Sequence, residues 1–143
     1  MTSFPRSGNS FLRKFLEQIT GIYTGSDGNI KMGVMLQHTG LLGENHFGDD
    51  TVWITKAHYP YMQAHAPWTA DKIICIVRNP IDVIPSYMSL AFLQSHTAVP
   101  VNPWNTVTAW PDISRYFLGG WNEYHLRVRE MAKNTPTFFL TYE

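Results

Sequence analysis

The sequence predicts an α/β fold, a three-layer α/β/α arrangement around a central parallel sheet, and three observations carry that prediction. Two short runs, TVWIT at 51–55 and KIICIV at 72–77, are nearly continuous in apolar and β-branched residues, as strands covered on both faces are. Segments with helical apolar spacing stand before, between and after them. A further run, TFFLTYE at 137–143, reads as another buried strand after the last helix.

The first helix follows from Phe11, Leu12, Phe15, Leu16 and Ile19, which recur on one helical face over Ser10 to Gln18, with Gly21 placed to end it. Between Gly21 and Asp50 lie six glycines and little periodicity, so this stretch is expected to be a long irregular excursion. Asn79, Pro80 and Asp82 supply a capping side chain, a first-position proline and an acidic first turn, and predict a helix running to about Leu93. Pro85 inside it would remove a backbone donor and crowd the preceding turn, which predicts a kink or a distorted first turn. HTAVPVNPWNTVTAWPD, with three prolines, reads as a loop. The last helix rests on Tyr116, Phe117, Trp121, Tyr124, Val128 and Met131, with the Gly119–Gly120 pair weakening its middle.

With 143 residues, 44% of them hydrophobic and 14% aromatic, residues 1–143 are expected to form one domain with a core of its own. Eleven Lys and Arg balance eleven Asp and Glu, so neither a nucleic acid nor a membrane surface is expected as a partner, and any anion site must be local. The single cysteine, Cys75, lies in an apolar run and reads as a buried small hydrophobe; it has no partner for a disulfide. The histidines His38, His46, His65, His96 and His125 lack metal-ligand spacing, so no metal site is expected. No apolar run approaches the ~20 residues of a membrane span, and the chain as given reads as soluble. Only Met1 to Phe4 precede the opening loop, and the chain stops at Glu143 before any turn or cap. A strand is therefore expected to be cut away at the start, leaving a domain incomplete at both ends.

The stretch FPRSGNSFLR, residues 4–13, carries the first chemistry. Backbone N–H groups at a helix start are unpaired and lie at the positive end of the helix dipole, which makes them a site for phosphate or sulfate. Gly8 permits close backbone approach, Arg6 adds a bidentate cation, Ser7, Asn9 and Ser10 add neutral donors, and Phe11 offers a ring face to a base. The GxxxxGK[ST] signature of ATP- and GTP-binding loops is absent, which demotes a kinase or GTPase.

FPRSGNSFLR resembles the 5′-phosphosulfate loop of the sulfotransferases, enzymes that use 3′-phosphoadenosine 5′-phosphosulfate (PAPS). VRNPIDVIPSY at 77–87 is similar to a second family element, in which an Arg at the end of a buried strand and a Ser eight residues later hold the 3′-phosphate; here these are Arg78 and Ser86. TKAHYP at 55–60 resembles the element whose histidine takes the proton of the acceptor hydroxyl, which makes His58 the implied base and Lys56 its neighbour against the sulfuryl oxygens. The helix before FFLTYE, with Trp121, Tyr124 and Arg127, looks like the family's closing helix and strand, so the likeness spans nearly the whole chain. ITGIYTGSDG resembles the WSC-domain-containing, sialate O-sulfotransferase-like branch.

The resemblance implies a P-loop-NTPase-like sulfotransferase fold, PAPS as co-substrate without a metal, and a small-molecule or glycan hydroxyl acceptor. It implies a cytoplasmic or Golgi-lumenal full-length protein, with a membrane anchor only in an upstream segment. Arg6 stands where many members have lysine and Phe11 where cytosolic members have a stacking tryptophan, while the glycine-rich segment that closes over adenosine farther along is not present. A non-catalytic nucleotide-binding remnant and a P-loop-type kinase are the alternative readings. The identity of the acceptor is not encoded in any general pattern of loop residues.

Overall fold

The computed structural model describes residues 1–27, 36–44, 46, 50–59, 69–93 and 108–143. In chain order the elements are β1 (Thr2–Ser3), α1 (Asn9–Thr20), β2 (Thr24–Ser26), β3 (Ile54–Lys56), β4 (Ile73–Val77), α2 (Pro80–Leu93), α3 (Trp110–Met131) and β5 (Thr137–Thr141). The proline-rich stretch predicted as a loop lies mostly outside the described residues; its last residues, Trp110 to Asp112, open α3.

Every strand pairing is parallel. One sheet runs β1–β4–β5, with Thr2 opposite Cys75 and Val77 opposite Thr141, and the other pairs β2 with β3. A parallel bridge between Thr2 and Ala57, with the Ala57 amide donating to the Met1 carbonyl at 2.8 Å, sets the second sheet beside β1. The five strands therefore abut in the order β2–β3–β1–β4–β5.

Alternation along β1 separates the two faces. The Thr2 hydroxyl meets the Tyr124 hydroxyl of α3 at 3.0 Å, whereas the Ser3 hydroxyl accepts from Asn9 Nδ2 of α1 at 2.7 Å. So α1 covers one face, and α2 and α3 cover the other. The core on the α2–α3 side joins Phe4, Ile73, Cys75, Val83, Tyr124 and Val128, with Tyr87, Trp121 and Met131 packed around it. Phe4 is fully buried and meets the rings of Tyr87 and Tyr124 edge-on.

β1 is two residues long, Thr2–Ser3, held by β4 on one side and Ala57 on the other. The structure corrects three sequence expectations. The run at 137–143, expected as a buried strand, forms β5 with Phe138 and Phe139 exposed. The excursion after α1 contains β2, whose TGS sequence has no apolar residue to announce it and whose pairing with β3 rests on the backbone. Only the end of the run at 51–55 is strand, since β3 begins at Ile54 and continues through Lys56. The helix expected to run to about Leu93 does so, over Pro80–Leu93 with Pro85 inside it, and the Ser89 hydroxyl donates to the Pro85 carbonyl at 2.9 Å.

The apolar stripe of α1 also faces the unexpected way. Phe11, Phe15 and Ile19 are exposed, and the buried face is Asn9 and Arg13. The neighbour on that side is polar: Arg13 donates to the Thr24 hydroxyl at 2.8 Å, to the Thr24 carbonyl at 2.7 Å, and to the buried carboxylate of Glu44. Glu17 accepts from the Thr24 amide and hydroxyl at 2.8 and 2.7 Å. A face that lines up a guanidinium and a carboxylate against backbone groups of β2 satisfies those groups, which an apolar face would leave unpaired.

Candidate functional site

In an open parallel sheet, ligands bind beyond the carboxyl ends of the strands, where helix N-termini and loops meet. At that edge the described residues place Asp27 after β2, His58 after β3, the 4–8 loop after β1, Arg78 after β4 and Tyr142 after β5.

The loop is tightly wound because two of its residues have positive φ: Gly8 at 93° and Arg6 at 68°. For arginine that region costs about 1–2 kcal/mol, so the surrounding structure must hold the loop in place. Gly8 is the N-cap of α1, and the first intrahelical bond runs from the Leu12 amide to the Gly8 carbonyl at 3.0 Å. The amides of Asn9, Ser10 and Phe11 therefore have no carbonyl within the helix to donate to. Beneath them, buried Asn9 ties the loop to both neighbouring strands, donating to the Ser3 hydroxyl at 2.7 Å and, at 3.4 Å, to the Ala57 carbonyl. Ser10 and Phe11 point outward, and the Phe11 ring is 70% exposed.

Arg6, Arg78 and Ser86 come together. Arg6 Nε donates to Ser86 Oγ at 2.9 Å, and Arg78 Nη1 donates to the Arg6 carbonyl at 2.9 Å. Burial, and then the neighbouring Arg78 charge, pull the Arg6 guanidinium below its usual range. Two guanidinium charges are thereby brought together at one point of the rim. The capping of α2 aims the same rim: the Ile81 amide donates to Asn79 Oδ1 at 3.0 Å and the Val83 amide to the Asn79 carbonyl at 3.0 Å. Two buried polar atoms here, Ser7 Oγ and Arg78 Nε, have no hydrogen-bond partner among the described residues.

His58 follows β3 and meets the end of β1. Its Nδ1 is 2.8 Å from the Ser3 carbonyl, and since a carbonyl only accepts, Nδ1 carries the hydrogen and Nε2 keeps its lone pair. Burial first, and the Lys56 charge second, push the ring down to about 3, against the upward pull of the Ser3 bond. The imidazole is thus neutral at ordinary pH. Lys56 is itself lowered by burial, and Asp27 is raised by burial while Lys56 opposes the rise.

The structure thus joins Arg6, Arg78 and Ser86 by hydrogen bonds and ties His58, with Lys56 near it, to Ser3 just before the loop, while Ser10 and Phe11 stand outward at the start of α1. Sequence reasoning did not single out Ser3, which sets the His58 tautomer, nor Tyr142, whose ring lies 4.4 Å from the Arg78 guanidinium carbon. The signal for Tyr142 was its place one residue beyond an apolar strand, the same argument that picked out Arg78. Among the described residues no group of three or more His, Cys, Asp and Glu could hold a metal, and no helix is long and apolar enough to cross a membrane.

Comparison with known proteins gives one family and one set of relatives. The family model described as a sulfotransferase domain matches residues 1–143. A WSCD family member of Aedes aegypti is 40% identical over 80 residues, which is 56% of this chain and 23% of the relative. A WSCD family member of Drosophila melanogaster is 41% identical over 80 residues, again 56% of this chain and 23% of the relative. The match thus spans about a quarter of the length of these curated relatives. No solved structure matches the chain significantly.

Proposed function

Since the chain belongs to the sulfotransferase domain family, we propose that it serves transfer of a sulfuryl group from PAPS to a hydroxyl of a small-molecule or glycan acceptor, with His58 as the general base. The observation that supports this reading is the contact chain from the 4–8 loop through Arg6 to Ser86 and Arg78, which joins at one sheet edge the two parts assigned here to the two anionic ends of PAPS.

In this reading the free amides at the start of α1, with Arg6, Ser7, Gly8, Asn9 and Ser10, hold the 5′-phosphosulfate, and Arg78 and Ser86 hold the 3′-phosphate. Phe11, exposed beside the loop, offers its face to the adenine. The acceptor oxygen attacks sulfur as its proton passes to Nε2 of His58, the new O–S bond forming while the bond from sulfur to the phosphate oxygen breaks. The electron pair of the broken bond stays on the departing phosphate, where Arg6 and the helix amides stabilise it, and Lys56 supports the sulfuryl oxygens. His58 is suited to receive the proton because the Ser3 carbonyl fixes its hydrogen on Nδ1.

The test is titration of the chain with 3′-phosphoadenosine 5′-phosphate and with magnesium ATP, followed by an assay of labelled sulfate transfer from PAPS to a panel of hydroxyl acceptors. Preferential binding of the bisphosphate together with transfer is the expected result. Preference for magnesium ATP would overturn the reading. Binding without transfer to any acceptor would reduce the chain to a nucleotide-binding remnant.

A further inference from the structure

Tyr142 touches both anion-binding parts of the rim. On one side its ring centroid lies 4.4 Å from the guanidinium carbon of Arg78. On the other it fills the space in front of Gly8, where a Cβ would come within 2.5 Å of Tyr142 Cδ2. The backbone here is firmly set. Thr141 pairs with Val77, the Tyr142 amide donates to the Val77 carbonyl at 2.9 Å, and Glu143 Oε1 accepts from the Asn79 amide at 2.9 Å. The segment Tyr142–Glu143 thus brackets Arg78 from both chain neighbours.

Arg78 is therefore oriented by two contacts that leave a donor edge unused. Nη1 is spent on the Arg6 carbonyl and the guanidinium carbon sits over the tyrosine ring, while Nε is buried with no hydrogen-bond partner among the described residues. The guanidinium is planar by its own bonding, so a ring that holds its central carbon in place limits where its donors point, and a phosphate is recognised by donors in fixed positions.

We propose that Tyr142 is a positioning residue that confers preference for a 3′-phosphorylated nucleotide by holding the Arg78 guanidinium in place over its ring. This rests on the assignment of Arg78 to the 3′-phosphate made above. Tyr142 acts through its ring face. Its hydroxyl has no part in the argument, and at 45% exposure the ring is not a core residue.

The experiment compares the affinities of 3′-phosphoadenosine 5′-phosphate and adenosine 5′-phosphate, by calorimetry, for the full chain and for Tyr142→Phe, Tyr142→Leu and Tyr142→Met. In Tyr142→Leu the preference for the bisphosphate should fall about tenfold, the size of a partly desolvated cation–π contact, with affinity for the monophosphate within about threefold of the parent. Tyr142→Phe should keep the preference, since the ring face remains. Tyr142→Met keeps bulk against Gly8 without a ring and should behave like Leu, which preserves the comparison if the Leu variant does not fold. Unchanged preference in Leu or Met, loss of preference in Phe, or equal weakening of both ligands would overturn the proposal. A parent chain that does not distinguish the two ligands would instead overturn the assignment of Arg78, and this proposal with it.

Discussion

Arg6 Nε donates to Ser86 Oγ at 2.9 Å, joining residues that stand 80 positions apart in the chain. The contact links the loop that opens α1 to the second turn of α2, and Arg78 adds to it by donating to the Arg6 carbonyl at 2.9 Å. Loop and helix thereby form one continuous surface of donors.

Removing the far end of that surface should cost selectivity for the 3′-phosphate and little else. In Arg78→Ala, binding of 3′-phosphoadenosine 5′-phosphate should weaken by about 10- to 100-fold, the range of a charge-assisted hydrogen bond, while adenosine 5′-phosphate binds nearly as before. Ser86→Ala should show the same selectivity with a smaller loss, about three- to tenfold. Equal losses for the two nucleotides, measured by calorimetry, would remove both residues from the 3′-phosphate site.

His58→Ala should reduce transfer by a factor on the order of 10² to 10⁴ with nucleotide affinity nearly intact. Undiminished turnover would exclude His58 as the base.

The depressed His58 gives a second, independent reading. Its folded value of about 3 lies below the unfolded value of about 6.5, so between these the unfolded chain binds the extra proton and stability falls as pH is lowered. Thermal midpoints should drop from pH 7 to pH 4 in the parent and drop less in His58→Asn, whose side-chain amide can still donate to the Ser3 carbonyl. Superimposable pH profiles for the two proteins would show that His58 remains free to protonate in the folded state.

Gly8→Ala should lower stability by about 1–2 kcal/mol from the left-handed backbone alone, before the contact with Tyr142 is counted. Chemical denaturation measures this, and a change under about 0.5 kcal/mol would mean that the loop relaxes out of the conformation described.

Glu44→Ala should be the most damaging of these changes to folding, by about 3–5 kcal/mol, because it strands the fully buried Arg13 without its carboxylate. Glu44→Gln keeps an acceptor and should cost less. Denaturation midpoints of the two variants, compared with the parent, decide the matter; equal small losses would mean that water reaches Arg13.

The apolar runs determined, without coordinates, that β4 and β5 are parallel strands with helices beside them, but burial holds for β4 and not for β5, whose Phe138 and Phe139 are exposed. The capping of α2 by Asn79 and the end of α1 at Gly21 were equally legible, since caps depend on neighbours in sequence. What depended on tertiary structure is everything carried by polar residues. β2 has no apolar signature, and α1 turns its apolar stripe outward, because their partners are backbone groups and the Arg13–Glu44 pair. Likewise FPRSGNSFLR, TKAHYP and VRNPIDVIPSY each name their residues locally. The hydrogen on His58 Nδ1, the reach of Arg6 to Ser86 and the ring of Tyr142 beneath Arg78 exist only once parallel pairing brings the strand ends to one edge. Hydrogen-bond partners distant in sequence leave no periodicity for a reader to find.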